Sequence, residues 1–232
     1  MKKLMLLVLV LSLSGLGWAE AKSLAPTERL AAASKVLGRI MASPATSIPG
    51  EILSRAKCIA VVPSMFEGGL VVGAESGHGV ATCRTAKGWS APVFFTVKGG
   101  SFGLQIGVEG VDLVMIFQKD EGMARLLSSN VEVGADFSSS IGPIGGDFSE
   151  DTDSKLHTEI LTYSYARGAY VGVTLTGASV CRDDDAMQAI YGRNVSSSSV
   201  LLGEVPTPKA TLAFISEVRD TTAKRSGTQA AK

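Results

Sequence analysis

Residues 99–103 (Gly-Gly-Ser-Phe-Gly) match the G-x-S-x-G pattern that surrounds the nucleophilic serine of many hydrolases. That chemistry needs the serine, here Ser101, on a tight turn from a strand into a helix, with a histidine and a carboxylate in reach. The following residues 104–109 alternate like a strand, and His157 is the only downstream histidine. Because the required context is missing, the sequence predicts a protein that is not an enzyme and has no catalytic residues.

Acidic side chains gather in two regions and could supply oxygen ligands for calcium. They are Asp147, Glu150, Asp151 and Asp153, followed by the triplet Asp183, Asp184 and Asp185. No EF-hand spacing is present, and carboxylates also cap helices by accepting hydrogen bonds from the unpaired amides of the first turn. We therefore interpret the triplet as a helix cap and expect neither a metal nor a cofactor.

The chain has three cysteines, Cys58, Cys83 and Cys181. Their spacing matches no zinc pattern, and His78, in a glycine-rich segment, is interpreted as structural. In an oxidising compartment one disulfide is plausible, and we favour Cys58 with Cys83 because both lie in the strand-rich core. If their strands flanked a third strand, however, they would lie about 9–10 Å apart, which is too far for a disulfide.

The strongest candidates for ligand binding lie near the start of the chain. Residues 26–42 form an amphipathic helix at 100° per residue, with an apolar face and a polar face that carries Lys35 and Arg39. The apolar face could enter a lipid headgroup region while the cations meet phosphates, or it could dock on the protein's own sheet. Arg55, Lys57 and the loop residue Phe66 could add a basic rim beside an apolar wedge; ordinary surface charges and a partly buried phenylalanine are the alternative.

These residues require a scaffold of short strands and terminal helices. Residues 56–118 contain apolar runs punctuated by glycine, which predicts consecutive strands with a hairpin turn at residues 76–79. Further helices are predicted at 49–55, 119–129, 183–192 and 208–222, further strands at 131–137, 160–165 and 170–176, and irregular chain at 138–153. The pattern indicates an α+β single domain whose largely antiparallel, glycine-rich sheet curls towards a sandwich or barrel.

Composition and the first residues indicate where the protein acts. A basic start, a short apolar core and small residues predict a signal peptide at 1–19, which leaves a domain at 20–222 and a disordered tail at 223–232. Without Lys2 and Lys3 the chain has 20 basic and 22 acidic residues, a net charge of −2, which disfavours nucleic-acid binding. We expect an exported, periplasmic or secreted protein that associates peripherally with membranes.

The order of the strand runs from residue 56 to 118 and the later Asp-Ala and Tyr-Gly pairs resemble the SYLF domain family, over about residues 34 to 218. The resemblance implies binding to anionic phospholipids, including phosphoinositides, through the N-terminal region. A protein-interaction or envelope-scaffold role is the alternative, since eukaryotic members are linked to actin. Met187 stands where asparagine is usual in the family, so the polar contact of that asparagine is in doubt here. The oligomeric state is not predicted.

Overall fold

The computed structural model describes residues 24–45, 47–69, 72–102, 108–119, 122–123, 131–132, 139–144, 159–166, 169–171 and 177–224. Its helices are α1 (Pro26–Ala42), α2 (Gly50–Arg55), α3 (Asp184–Tyr191), α4 (Ser197–Leu201) and α5 (Leu212–Lys224), the last preceded by a 3-10 turn at Lys209–Thr211. Its strands are β1 (Cys58–Gly69), β2 (Val72–Thr85), β3 (Gly88–Trp89), β4 (Val93–Phe102), β5 (Val108–Phe117), β6 (Val131–Glu132), β7 (Ser139–Ile141), β8 (Ile160–Ala166), β9 (Ala169–Val171) and β10 (Ser179–Arg182).

The strands form one curled, half-barrel sheet in the order β6-β10-β4-β2-β1-β5-β8-β7, with β3 beside β2 and β9 beside β8. Among the described residues only β7 and β8 pair in parallel; the other pairs are antiparallel. The predicted α+β fold with a largely antiparallel, curled sheet is therefore confirmed. Helices α1 and α5 pack together, and α1 also contacts β1 and β2.

The hairpin turn predicted at residues 76–79 is wrong, because β2 runs straight through them and pairs with β1 as far as Gly69 opposite Gly73. Gly77 and Gly79 instead allow neighbouring side chains to pack closely against the backbone of β2. A Cβ on Gly79 would lie 2.3 Å from the ring of Phe95, and one on Gly77 would lie 2.5 Å from a Val62 methyl. Both distances are shorter than real Cβ contacts, so these glycines let side chains lie directly on the sheet backbone.

The predicted loop around Phe66 is also wrong, because Phe66 belongs to β1 and pairs with Ser76 of β2. The turn-like residues before it produce an irregularity: the register of β1 shifts between Val61 and Phe66, and Ser64 has φ of 50°. An extra residue that bulges from a strand bends it without ending it.

Other elements were only partly anticipated. The sequence predicted neither β10 nor α4, and it assigned irregular chain where β7 forms. The final helix begins at Leu212, after the 3-10 turn, and continues to Lys224. Most of the helix expected at 119–129, and the later parts of the strands expected at 131–137 and 170–176, lie outside the described residues, as do residues 1–23 and 225–232.

Candidate functional site

Helix α1 has the bounds that its periodicity predicts, and its apolar face is turned into the core. Leu30, Ala33, Val36, Leu37 and Ile40 are each at most 4% exposed. Ala25 donates its N–H to Glu28 Oε2 at 3.2 Å, and Pro26 occupies the first turn, where a missing N–H does no harm. In the structure, α1 is therefore docked on the protein's own sheet, which is one of the two alternatives that the sequence left open.

The polar face of α1 carries Lys35 and Arg39, both exposed. Arg39 Nη1 lies 2.7 Å from Asp112 Oδ2 on β5, although its side chain remains 58% exposed. The other oxygen of Asp112 accepts the Ser64 N–H at 3.0 Å. Asp112 therefore links the irregular part of β1 to the C-terminal part of α1 through these two contacts. Arg39 thus already has an anionic partner within the protein.

The remaining predicted cations lie at the end of the β1–β5 pair where Cys58 is opposite Phe117. Arg55 Nη2 contacts Glu51 Oε1 at 2.7 Å, and the half-buried Lys57 donates its backbone N–H to Phe117 O. Phe117 and Asp112 are five residues apart on β5, or about 17 Å along the strand. The structure thus places Arg39 in one region and Arg55 with Lys57 in another. The Phe66 side chain lies outside the described residues.

A second charged cluster, which the sequence did not predict, joins α1, β2 and α3. Arg29 Nη1 lies 2.8 Å from Asp183 Oδ2, and His78 Nδ1 lies 3.5 Å from the same oxygen. The Arg29 side chain is 3% exposed, and its Cζ is 5.5 Å from the centroid of the Phe94 ring. A signal did exist: Arg29 precedes Ala33 and Val36 at helical spacing, and an arginine on an apolar face needs a buried partner.

The surroundings of Asp183 favour its ionised form. The nearby His78 imidazole, the Ala186 N–H and the Arg29 guanidinium hold the pKa of this carboxyl well below its usual range, although burial opposes them. Asp183 Oδ1 accepts the Ala186 N–H at 3.0 Å, so Asp183 is the N-cap of α3. The capping interpretation of the aspartate triplet is confirmed for this residue.

The family-like residues that follow Asp183 form helix α3 and end it. Tyr191 donates its hydroxyl to Pro92 O at 2.6 Å, and burial raises the pKa of this phenol. Gly192 ends α3 with φ of 65°, a conformation that glycine adopts without strain. Met187, in place of the usual asparagine, is fully buried and accepts the Phe94 N–H on its sulfur at 3.4 Å. These residues position α3 on β4.

The G-x-S-x-G segment does not have the geometry of a nucleophile elbow. Ser101 lies in β4 and pairs with Gly73 of β2, so the backbone at residues 99–102 is extended strand. His157 lies outside the described residues. In the part of the chain that the structure describes, no group of three or more His, Cys, Asp or Glu residues could hold a metal ion.

Cys58 and Cys83 form a disulfide with a Cα–Cα distance of 4.0 Å. They face each other directly in the β1–β2 register, because β1 and β2 are neighbours and no third strand separates them. Cys181 lies on β10, outside any disulfide, with its sulfur 3.6 Å from Ser179 Oγ. Within the described ranges, no helix is long and apolar enough to cross a membrane.

Residues 98–221, more than half of the chain, match the family model described as Ysc84, Las17-binding protein actin regulator. Among curated proteins, the chain is similar to SH3 domain-containing YSC84-like protein 1 of Rattus norvegicus, at 29% identity over 163 residues, 69% of this chain and 48% of the relative. The Homo sapiens protein of the same name is 28% identical over 69% of this chain and 47% of the relative.

Protein YSC84 of Saccharomyces cerevisiae is 29% identical over 167 residues, 70% of this chain and 36% of the relative. The matched region therefore spans about half of the animal relatives and about a third of the yeast protein. The similarity concerns one shared region of longer proteins.

Proposed function

Because the chain belongs to the Ysc84 family, the SYLF-type proteins that its strand and helix motifs resemble, we propose that it is a non-enzymatic module that binds anionic phospholipid at a membrane surface. The observation that carries this proposal is the arrangement of α1. Its apolar side is buried, while Lys35 and Arg39 remain on the solvent side. Binding through these groups is electrostatic and needs no insertion of the helix.

The disulfide supports a location outside the reducing cytoplasm. Disulfides such as Cys58–Cys83 persist in oxidising compartments and are rare where thiols are kept reduced. We therefore propose that the protein acts after export, in a periplasm or outside the cell, at the surface of a membrane.

Co-sedimentation with vesicles tests the lipid proposal. We expect binding to phosphatidylcholine vesicles that contain phosphatidylglycerol, weaker binding as salt rises, and little binding to phosphatidylcholine alone. Lys35→Gln should weaken binding, whereas Lys209→Gln, at an exposed lysine of the 3-10 turn, is the matched control. Equal binding to neutral and anionic vesicles would contradict the electrostatic mechanism, and no binding to either would contradict lipid binding.

A protein-interaction module is the second candidate. The family description names Las17 binding and actin regulation, which supports a protein partner for this region. A pull-down from envelope extract distinguishes the two functions. A stoichiometric protein retained in detergent would favour the scaffold, and recovery of lipid alone would favour the membrane module.

A further inference from the structure

Part of the sheet face that α1 covers is left open to solvent, and it is lined by polar side chains. Residues that pair directly on adjacent antiparallel strands point to the same side of a sheet. The pairings across β2, β4 and β10 therefore create two rows, Ser76–Lys98–Ser179 and His78–Thr96–Cys181. Lys98 is exposed and the other five are half-buried. We call these six residues the polar rows.

Neighbouring positions show that this opening is local. Val80 and Phe94 form the next pair along the same face and are fully buried, and Phe94 lies beneath Arg29 of α1. The intervening positions Gly77 and Val97 point to the opposite face and are buried as well. The polar rows thus lie on the part of this sheet face that begins where the cover of α1 ends.

From this juxtaposition, we propose that the polar rows bind a phosphate group, with Lys98 as the charged donor and the hydroxyls of Ser76 and Ser179 as neutral donors. The hydroxyl of Thr96 already donates to Cys181 O at 3.5 Å. Lys98 forms no ion pair with any described residue. Hydroxyl residues lie directly opposite it on both neighbouring strands. A cation between two hydroxyls offers a phosphate a charge-assisted hydrogen bond from the ammonium and one neutral hydrogen bond from each hydroxyl.

Two buried nitrogen atoms, at or next to the His78 end of the polar rows, also support this proposal. Arg29 Nε and His78 Nδ1 are shielded from solvent and make no hydrogen bond to the described residues. Unsatisfied buried polar atoms are uncommon in folded proteins and mark places where a water or a ligand oxygen can bind. Both lie beside Asp183, whose charge Arg29 balances, so Asp183 does not cancel the charge of Lys98.

Phosphate has two possible sources, a free anion and a phospholipid headgroup, and the second rests on the proposed membrane function. Inorganic phosphate tests the shared chemistry. In the full chain, we expect it to shift the backbone amide NMR signals of residues 76, 98 and 179 saturably. Lys98→Gln should weaken this binding roughly tenfold, the loss expected when a charged hydrogen bond is removed. Lys87→Gln, at an exposed lysine after β2, is the matched control and should leave it unchanged.

Binding to vesicles distinguishes a phospholipid headgroup from free phosphate as the natural ligand. If Lys98→Gln also weakens binding to phosphatidylcholine vesicles that contain phosphatidic acid, and Lys87→Gln does not, the site takes a headgroup phosphate. If only the response to inorganic phosphate depends on Lys98, the site takes free phosphate. An absent phosphate response, or one equally sensitive to both lysines, overturns the site even if the wild type binds vesicles. A wild type that binds no vesicles while its phosphate response depends on Lys98 overturns only the membrane function.

Discussion

Asp183 has two roles, the ion pair with Arg29 and the N-cap of α3, and a substitution can remove the first while keeping the second. Asparagine caps helices about as well as aspartate, so Asp183→Asn keeps the cap of α3 but leaves the buried Arg29 without its counter-charge. Removing one partner of a buried ion pair costs about 3–5 kcal/mol. We expect a loss of this order in the free energy of unfolding at neutral pH, measured by chemical denaturation.

The pH dependence of that loss follows from the depressed pKa of Asp183. A carboxyl whose pKa is lower in the folded state than in the unfolded state, where it is about 3.9, stabilises the folded protein at pH values above 3.9. This stabilisation declines as the pH falls below that value. The difference between wild type and Asp183→Asn should therefore shrink in acid. Asp184→Asn, at the largely exposed next position, is the control and should change stability by no more than about 0.5 kcal/mol. A pH-independent difference would show that packing, not charge, is responsible.

Met187 gives a second prediction, because its sulfur is a weak acceptor for the buried Phe94 N–H. Met187→Leu preserves volume but removes the acceptor, so it should cost about 1 kcal/mol and raise the hydrogen-exchange rate of the Phe94 amide. Met187→Asn, which restores the residue usual in the family, should preserve the protection of that amide.

Met123→Leu is the matched control, since Met123 is equally buried. It should leave the exchange rate of the Phe94 amide unchanged. Equal protection of this amide in Met187→Leu and in the wild type would mean that the sulfur contact contributes nothing.

At the element scale, the sequence predicts what local periodicity encodes and misses what distant partners decide. The bounds of α1 follow from its own 3.6-residue period. By contrast, Gly77 and Gly79 suggest a turn only until Phe95, far along the chain, is known to lie on Gly79. Strand β10 has only four residues, too few for a clear period, and its place is set by pairing with β4. The polar rows could not be read from one segment, because three strands contribute to them.

The β1–β2 hairpin leads to a prediction about its disulfide. Cys58 and Cys83 are separated by 25 residues, and closing a loop of that length in the unfolded chain contributes about 3.5 kcal/mol in the chain-entropy model. Cys58→Ala with Cys83→Ala should therefore lower the free energy of unfolding by about 3–4 kcal/mol, measured by urea denaturation under oxidising conditions. Cys181→Ala is the control and should respond to reductant as the wild type does. A double variant as stable as the oxidised wild type would assign the disulfide no stabilising role.

Across the whole molecule, at least two of the four cations that the sequence singled out already have carboxylate partners. Arg39 and Arg55 have carboxylate partners, and the two regions that contain them are far apart on the sheet. With a predicted mature net charge of −2, the protein has no general attraction to anionic surfaces. Recognition of a phosphate or a membrane must therefore come from a few local groups, among which we propose Lys35 and Lys98, both of which are exposed.

Release of α1 from the sheet at a membrane surface would have a large free-energy cost. Its release would expose four large buried apolar side chains, Leu30, Val36, Leu37 and Ile40, each worth about 1.5–3 kcal/mol, together with the buried charge of Arg29. That cost is comparable to the whole stability of a typical domain, about 5–15 kcal/mol. We therefore expect the helix to stay docked while the protein binds vesicles.

A reversible crosslink between α1 and α5 tests this expectation. A Cβ on Gly38 would lie 3.5 Å from Glu217 Oε1, so Gly38→Cys and Glu217→Cys, in a Cys181→Ser background, can be joined by a short cleavable dimaleimide. The crosslinked protein should bind anionic vesicles as well as the same protein without the linker, because docked α1 already presents Lys35 to solvent. The Gly38→Cys variant alone, treated with the same reagent, controls for the modification itself. Binding that is lost on crosslinking and restored when the linker is cleaved would show that release of α1 is required, whatever its energetic cost.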